Sequence, residues 1–255
     1  MFAEDLLRLE IKALPPNARI LDVGCGPGSI ACFVEAVRPD ISVHGIDLVR
    51  HADLSSVVRF AKVDLDVEVI PYPANHFDLV LSRHVLEHLR NSTEAFGQMC
   101  RVTKAGGKLF VEAPSDRSTW FSFPWAQHWR LIFSFYDDPT HVGRPWSPQA
   151  LYRMGLYWGM TPQIARYEYS VVKRILFVPL MLWGWLRSSP DLLVDTWWKA
   201  LGWVAFCIYV KPIDLTEEAQ FRYRSFKGQG KGEALVWSSR AAHAVCSGVF
   251  SGKTI

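Results

Sequence analysis

The sequence predicts an α/β fold built on a doubly wound, mostly parallel sheet. Three observations carry that prediction. Short aliphatic runs alternate with helix-competent stretches through the first half of the chain. One of those runs leads straight into a cluster of glycines. The 255 residues, 49% hydrophobic and 21% charged, suffice for one large buried core. The same composition excludes disordered, collagen-like and disulfide-scaffold classes. A net charge of +3 is too mild to mark a nucleic-acid binder, and no basic stripe accompanies it. Cys25, Cys32, Cys100, Cys207 and Cys246 form an odd set without a CxxC pair, which suits a reducing, cytoplasmic compartment and excludes a cysteine zinc site.

Taken in order, Phe2–Leu14 places Leu6, Leu7, Leu9, Ile11 and Leu14 at helical spacing, and Pro15-Pro16 ends the pattern. Glu4, Asp5 and Glu10 interrupt it, so no export leader is expected there. Strands are predicted at Ile20–Val23, Val43–Ile46, Phe60–Val63, Phe77–Leu81 and Lys108–Glu112, with helices at Ser29–Val37 and Ser92–Val102; this is the rhythm of βαβ units. An aromatic loop follows Pro114, carrying Trp120, Phe121, Phe123, Trp125, Trp129, Phe135, Tyr136 and Trp146, either to stack on an acceptor or to form a local core. A helix is predicted at Pro148–Trp158 and a strand at Gln163–Tyr169. Ile175–Leu186 contains no charge and Trp197–Val210 only Lys199. Each is shorter than the roughly 20 residues of a spanning helix, and both are predicted as short apolar helices. Further on, a glycine-rich turn at 227–232 precedes Ala234–Ser238, a candidate last strand, and fraying is expected beyond about Ala244.

The strongest local signal is Ile20-Leu-Asp-Val-Gly-Cys-Gly-Pro-Gly-Ser29, a buried strand running into Gly24, Gly26 and Gly28. Glycines let the backbone turn sharply and approach a ligand where a Cβ would clash. The spacing is G-x-G-x-G and not the dinucleotide G-x-G-x-x-G. Asp47 ends the next strand about 20 residues on, where a carboxylate can accept from both ribose hydroxyls.

On these residues the chain resembles the class I S-adenosylmethionine (SAM) dependent methyltransferases, a Rossmann-like family whose first motif reads strand-D-x-G-x-G-x-G, matched by Asp22, Gly24, Gly26 and Gly28. The resemblance runs from about Ala18 to Tyr169. It implies SAM as cofactor, with Asp22 and the glycine loop on the methionine part, Asp47 on the ribose, and Asp64 with Leu65 on the adenine edge. Cys25 and Leu48 lie within these segments and join the implied cofactor set. Phe77–Ser82 resembles the family's fourth strand, which puts Ser82, Arg83 and His84 where that strand meets the cofactor.

A sulfonium is already an activated methyl donor, so such a site mainly aligns the reactants and excludes water. A hydroxyl acceptor also needs its proton removed or its pKa lowered. His84, Glu87 and His88 fall at i, i+3 and i+4, one face of a helical turn, and His141 lies in a loop that would open over the same place. Three readings stand. A divalent cation such as Mg²⁺ could be held by Glu87, His88, His141 and His84; the spacing resembles the E-x-x-E-H metal motif of some quinone-precursor and RNA 3′-end methyltransferases, with His84 replacing the first Glu. A metal-free reading makes His141, ahead of His88, the general base, oriented by Glu87 or Asp138. The third makes His84 and His88 capping or packing groups.

Asp138-Pro-Thr-His-Val, with Trp146-Ser-Pro and Gly155-Leu-Tyr-Trp-Gly, resembles methyltransferases associated with bacterial polysaccharide and glycolipid assembly. The implied activity is O-methylation of a sugar hydroxyl on a surface polysaccharide or lipid-linked glycan. A lipid-soluble acceptor such as a quinone precursor and a catalytically inactive SAM-binding scaffold are the alternatives. The family's seven-stranded sheet ends in an antiparallel hairpin, expected at Gln163–Tyr169 and Ala234–Ser238. The chain then divides into a SAM-binding core (1–169), an apolar helical insertion (170–232), and a last strand with tail (233–255). Trp183, Trp185, Trp197, Trp198 and Trp203, flanked by Lys173, Arg174, Arg187, Lys199 and Lys211, have the composition of an interfacial anchor. Peripheral membrane contact through residues 175–210, at the inner face of the membrane, is expected, with a second core or a subunit interface as the alternative.

Overall fold

The N-terminal apolar spacing closes into α1 (Ala3–Lys12), which buries Ala3, Leu7 and Ile11 and stops before the prolines. The computed structural model describes residues 2–120, 122 and 130–213. Along these run β1 (Arg19–Val23), α2 (Ser29–Val37), β2 (Ser42–Asp47), β3 (Arg59–Lys62), β4 (Phe77–Arg83), α3 (Ser92–Val102) and β5 (Thr103–Pro114). Then come α4 (Pro148–Tyr157), β6 (Thr161–Glu168), α5 (Val171–Ile175), α6 (Phe177–Leu186), α7 (Pro190–Leu201) and β7 (Val204–Val210).

The strands form one seven-stranded sheet in the order β3-β2-β1-β4-β5-β7-β6, as the α/β reading anticipated. The first five are mutually parallel, and β7 enters antiparallel between β5 and β6. Successive side chains on a strand face opposite ways, which is why continuous aliphatic runs suit a sheet covered on both sides. Ile20, Leu79, Leu81 and Phe110 pack with α1 and α2 on one face. Leu21, Val80, Leu109 and Val111 pack with Phe96, Met99, Trp146 and Leu151 on the other. The chain winds outward from β1 to β3 and then returns to β4. This reversal opens a crevice at the carboxyl ends of β1 and β4, the position where doubly wound sheets take ligands.

One prediction needs correction. Trp197–Val210 is not a single helix: α7 ends at Leu201, Gly202 turns left-handed at φ +75°, and Val204–Val210 is strand β7. A left-handed glycine is a standard helix stop. Val-Ala-Phe-Cys-Ile-Tyr-Val, buried on both faces, has no alternation to separate strand from helix. The hairpin partner of β6 is therefore this segment and not Ala234–Ser238. The insertion spans only the residues between Glu168 and Val204, shorter than the expected 170–232. Ala234–Ser238, the glycine-rich turn before it and the tail lie outside the described residues, as do Phe121, Phe123, Trp125 and Trp129.

Candidate active site

The glycine turn departs from β1 at the crevice. Gly24, Gly26 and Gly28 all have positive φ (+70°, +48° and +81°), a backbone course that side-chain-bearing residues rarely sustain. A Cβ on Gly24 would lie 2.4 Å from Val85 Cγ2, whereas one on Gly26 would meet no atom within 4 Å; the absent side chain there leaves space beside the backbone. The turn is pinned to β2: Gly24 and Cys25 N–H donate to Ile46 O at 2.8 and 3.2 Å, and Gly26 N–H donates to Asp47 Oδ2 at 3.0 Å.

Asp22, Asp47, Ser82 and Arg83 of the expected cofactor set meet here. Val23 and Ser82 are register partners across β1 and β4. Ser82 is fully buried, and among the described residues its Oγ has no hydrogen-bond partner. Asp22 is also buried; burial pushes its carboxyl up to about 7, while the Arg83 guanidinium draws it down and Asp47 adds to the rise. An orphaned hydroxyl, a side-chain-free cradle and a buried acid at the switch point fit a polar, nucleoside-bearing ligand. Leu48 is exposed just beyond Asp47. Asp64 Oδ1 accepts from Asp66 N–H at 3.0 Å and Leu65 packs on the core, so this pair is partly taken up by a local turn. The Cys25 thiol is a packing group against Gly45, pushed up to about 12, first by burial and then by Asp22 and Asp47.

The histidine segment splits in two. His84 sits at φ +53°, before a single 3₁₀ turn at Leu86–His88, so the helical-face geometry does not apply to it. Its Nδ1 lies 3.2 Å from Glu87 Oε1 and its Nε2 3.2 Å from Glu112 Oε1. Burial alone would lower its pKa, but bonds and charges from Glu112 and Glu87 outweigh that and hold it at about 10. With both nitrogens facing carboxylates, His84 does not join the ligating atoms that converge here, and it leaves the expected metal set.

Glu87, His88 and His141 do come together, each offering one ligating atom within 4.8 Å of the others. The ring centroids of the two histidines are 4.9 Å apart. His141 Nδ1 donates to Phe135 O at 2.7 Å, and His88 Nδ1 to Thr140 O at 3.2 Å. Because a carbonyl only accepts, these bonds place the proton on Nδ1 and leave the lone pair on Nε2. Thr140 Oγ1 donates in turn to Asp138 Oδ1 at 2.6 Å, and Asp138 Oδ2 stands 3.7 Å from His141 Nε2. Glu87 is almost wholly buried, and among the described residues its Oε2 has no hydrogen-bond partner.

Sequence reasoning missed Glu112 and the tryptophans above His84. Glu112 occupies the carboxyl end of a parallel strand, opposite Arg83 in register, and that position was its available signal. His84 and Arg83 hold its carboxyl below the ordinary range against the effect of burial. Trp198 and Trp203 stack at 4.2 Å and lie 5.9 and 6.3 Å from the His84 ring, with Trp198 inside cation–π range. No spacing in the sequence links residue 84 to these two.

A family model described as a methyltransferase domain matches residues 2–156. The chain is 28% identical over 151 residues to aklanonic acid methyltransferase DauC of Streptomyces sp. (strain C5), covering 55% of this chain and 67% of that one. It is also 28% identical over 139 residues to the ubiquinone/menaquinone biosynthesis C-methyltransferase UbiE of Cupriavidus metallidurans, covering 51% and 53%. These alignments therefore span about half to two thirds of the relatives' lengths. Among solved structures, Haemonchus contortus phosphoethanolamine N-methyltransferase 2, in complex with phosphomonomethylethanolamine and S-adenosylhomocysteine, matches with a TM-score of 0.56 at 19% identity, covering 82% of this chain and 52% of that one. That likeness is one of fold.

Proposed function

The chain belongs to the methyltransferase-domain family, and from that premise we propose that it transfers the methyl group of SAM to a hydroxyl oxygen, with His141 and His88 supplying the base. SAM brings a methyl group already activated on sulfonium sulfur. The chain's own residues bind, orient and move a proton. Gly24, Gly26 and Gly28 bring backbone close to the cofactor, Asp47 faces its ribose, and Asp22, Ser82 and Arg83 close the strand ends beneath it. Cys25 and Leu48 border that site, and Asp64 with Leu65 bound its adenine side.

His141 Nε2 is the first candidate to accept the hydroxyl proton, because its Nδ1–H is anchored to Phe135 O and the ring is held in the required tautomer. His88, anchored through Thr140, is the second. The single observation that carries the reading is this pair of anchored imidazoles beside a buried Glu87 oxygen that no group among the described residues satisfies.

The same geometry favours one variation. A divalent cation held by Glu87, His88 and His141 would satisfy that oxygen and acidify the hydroxyl directly. The acceptor we assign is a sugar hydroxyl of a surface polysaccharide or lipid-linked glycan, supported by the Asp138-Pro-Thr-His-Val segment and by the apolar helices beside the site. A quinone precursor competes, supported by the similarity to UbiE.

The test is transfer of radiolabelled methyl from SAM into membrane extract of the source organism, with and without EDTA, followed by phase partition. Organic-phase label that mild acid releases as a water-soluble sugar supports the glycan acceptor. Acid-stable organic label replaces it with a quinone or other lipid. Absence of label with SAM binding intact overturns transfer in favour of a binding scaffold, and loss of label with EDTA selects the cation variation.

A further inference from the structure

The tryptophans of the insertion separate into two populations. Trp197 and Trp203 are buried, and both indole N–H groups donate to Phe133 O at 2.9 Å; Trp198 donates to Ile132 O at 2.9 Å. These three belong to a satellite core, with Trp197 and Trp203 buried and Trp198 partly so. Trp183 and Trp185 on α6 are about half exposed.

Helix α6, Phe-Val-Pro-Leu-Met-Leu-Trp-Gly-Trp-Leu, is apolar on every side. Its inner face, Phe177, Met181 and Gly184 at i, i+4 and i+7, packs on Leu193 and Trp197 of α7. Its outer face, Val178, Leu182 and Trp185 at the same spacing, is 71%, 53% and 53% exposed, and Ile175 extends it at 75%. A helix apolar all round normally has cover all round. Among the described residues, nothing covers this outer face.

Charge identifies the occupant. No acid occurs between Glu168 and Asp191, while Arg174 and Arg187 flank α6 at its two ends. Arg187 stacks over Trp183 at 4.6 Å, an amphipathic pair with an apolar ring and a cationic head. Lys173 and Lys199 contribute less, because both pair with Asp195. Ten residues make a helix of about 15 Å, half of a hydrocarbon core, and no helix among the described residues is long and apolar enough to cross a membrane.

We propose that the outer face of α6, with Ile175, Val178, Leu182 and Trp185 as the inserted side chains and Arg174 and Arg187 as the headgroup contacts, docks the protein on the surface of an anionic lipid bilayer. The helix lies in the interface plane without spanning it. The docking does not depend on the methyl-transfer reading, since vesicle binding and methyl transfer are read separately.

The test is flotation of the full chain with phosphatidylcholine vesicles containing 30% phosphatidylglycerol, against vesicles of phosphatidylcholine alone. The expected result is co-flotation with the anionic vesicles, weaker on the neutral ones. The doubly substituted Leu182→Ser, Trp185→Ser chain should partition at least about tenfold less, and Arg174→Gln, Arg187→Gln should lose the preference for anionic lipid. Circular dichroism melting checks that each variant is folded. Sedimentation supplies the competing outcome: a dimer that the serine variant dissociates would assign α6 to a subunit interface and overturn the proposal. It also fails if the wild-type chain stays at the bottom of the gradient, or if the folded serine variant floats as well as wild type.

Discussion

The strand-end layer around His84 and the outer face of α6 both break a rule of water-soluble folds, in opposite directions. Around His84 the protein buries charge: the carboxylates of Glu87 and Glu112 lie beneath the partly exposed ring of His84 and guanidinium of Arg83, within a few ångströms. On α6 it exposes apolar surface. The layer is partly balanced from within, because Glu112 meets His84 and Arg83, and Glu87 Oε1 meets His84; among the described residues, Glu87 Oε2 and Arg83 Nε are left without a hydrogen bond. The helix is balanced on its inner face only. What each region lacks therefore differs in scale: a proton, an ion or a water for the first, an extended surface for the second.

The comparison can be broken at either end, and the effects should fall in order. His141→Ala should reduce the methyl-transfer rate by roughly 10² to 10⁴, the usual contribution of a positioned base. SAM affinity measured by calorimetry should be unchanged; a wild-type rate would remove His141 from the chemistry. His84→Ala should cost about 3 to 5 kcal/mol in urea unfolding, because it leaves Glu87 and Glu112 buried without their shared counter-ion. Asp47→Ala should weaken SAM binding about 10- to 100-fold, since it removes the acceptor for Gly26 N–H and, with it, the proposed ribose contact.

A pH titration sharpens the same contrast. The folded pKa of His84, about 10, lies above its ordinary value of 6.5. Its stabilisation is therefore complete below pH 6.5 and is lost as pH rises through 10, since the folded state binds the extra proton in that window. Cys25 and Cys207, both raised to about 12, add alkaline loss of their own. The informative quantity is thus the difference between wild type and His84→Gln, which should shrink steadily from pH 7 to 10. Smallest of all, Leu182→Ser with Trp185→Ser should move folding stability by no more than about 0.5 kcal/mol per site, as exposed substitutions do. A large loss would mean that the outer face already has a partner within the folded chain.

The parts of the fold that were legible in the sequence have a period or a stereochemical requirement. The strands through β5 and helices α1 to α3 announced themselves by apolar spacing, and the crevice by three glycines whose positive φ little else tolerates. β7 did not, because a seven-residue apolar run covered on both faces carries no period; only Gly202 marked the break. At the site, His88, His141 and Glu87 were recoverable as residue types near strand ends. His84 was misassigned because its left-handed backbone puts it outside the turn that the i, i+3, i+4 argument assumed. Glu112 and the Trp198–Trp203 stack depend on contacts distant in sequence, which local reasoning does not reach.

Glu168 and Val204, the residues that bound the insertion, are register partners in the β6–β7 ladder. The whole helical arm thus leaves the sheet and returns to it at adjacent backbone positions, as the tip of a hairpin does. Because closure entropy rises only slowly with loop length, that tip could be shortened, lengthened or exchanged while the ladder beneath stays paired. The arm can therefore be exchanged at one junction without changing the strand order, provided the graft replaces the bonds that Trp197, Trp198 and Trp203 make to Phe133 and Ile132 and the tryptophan stack over His84.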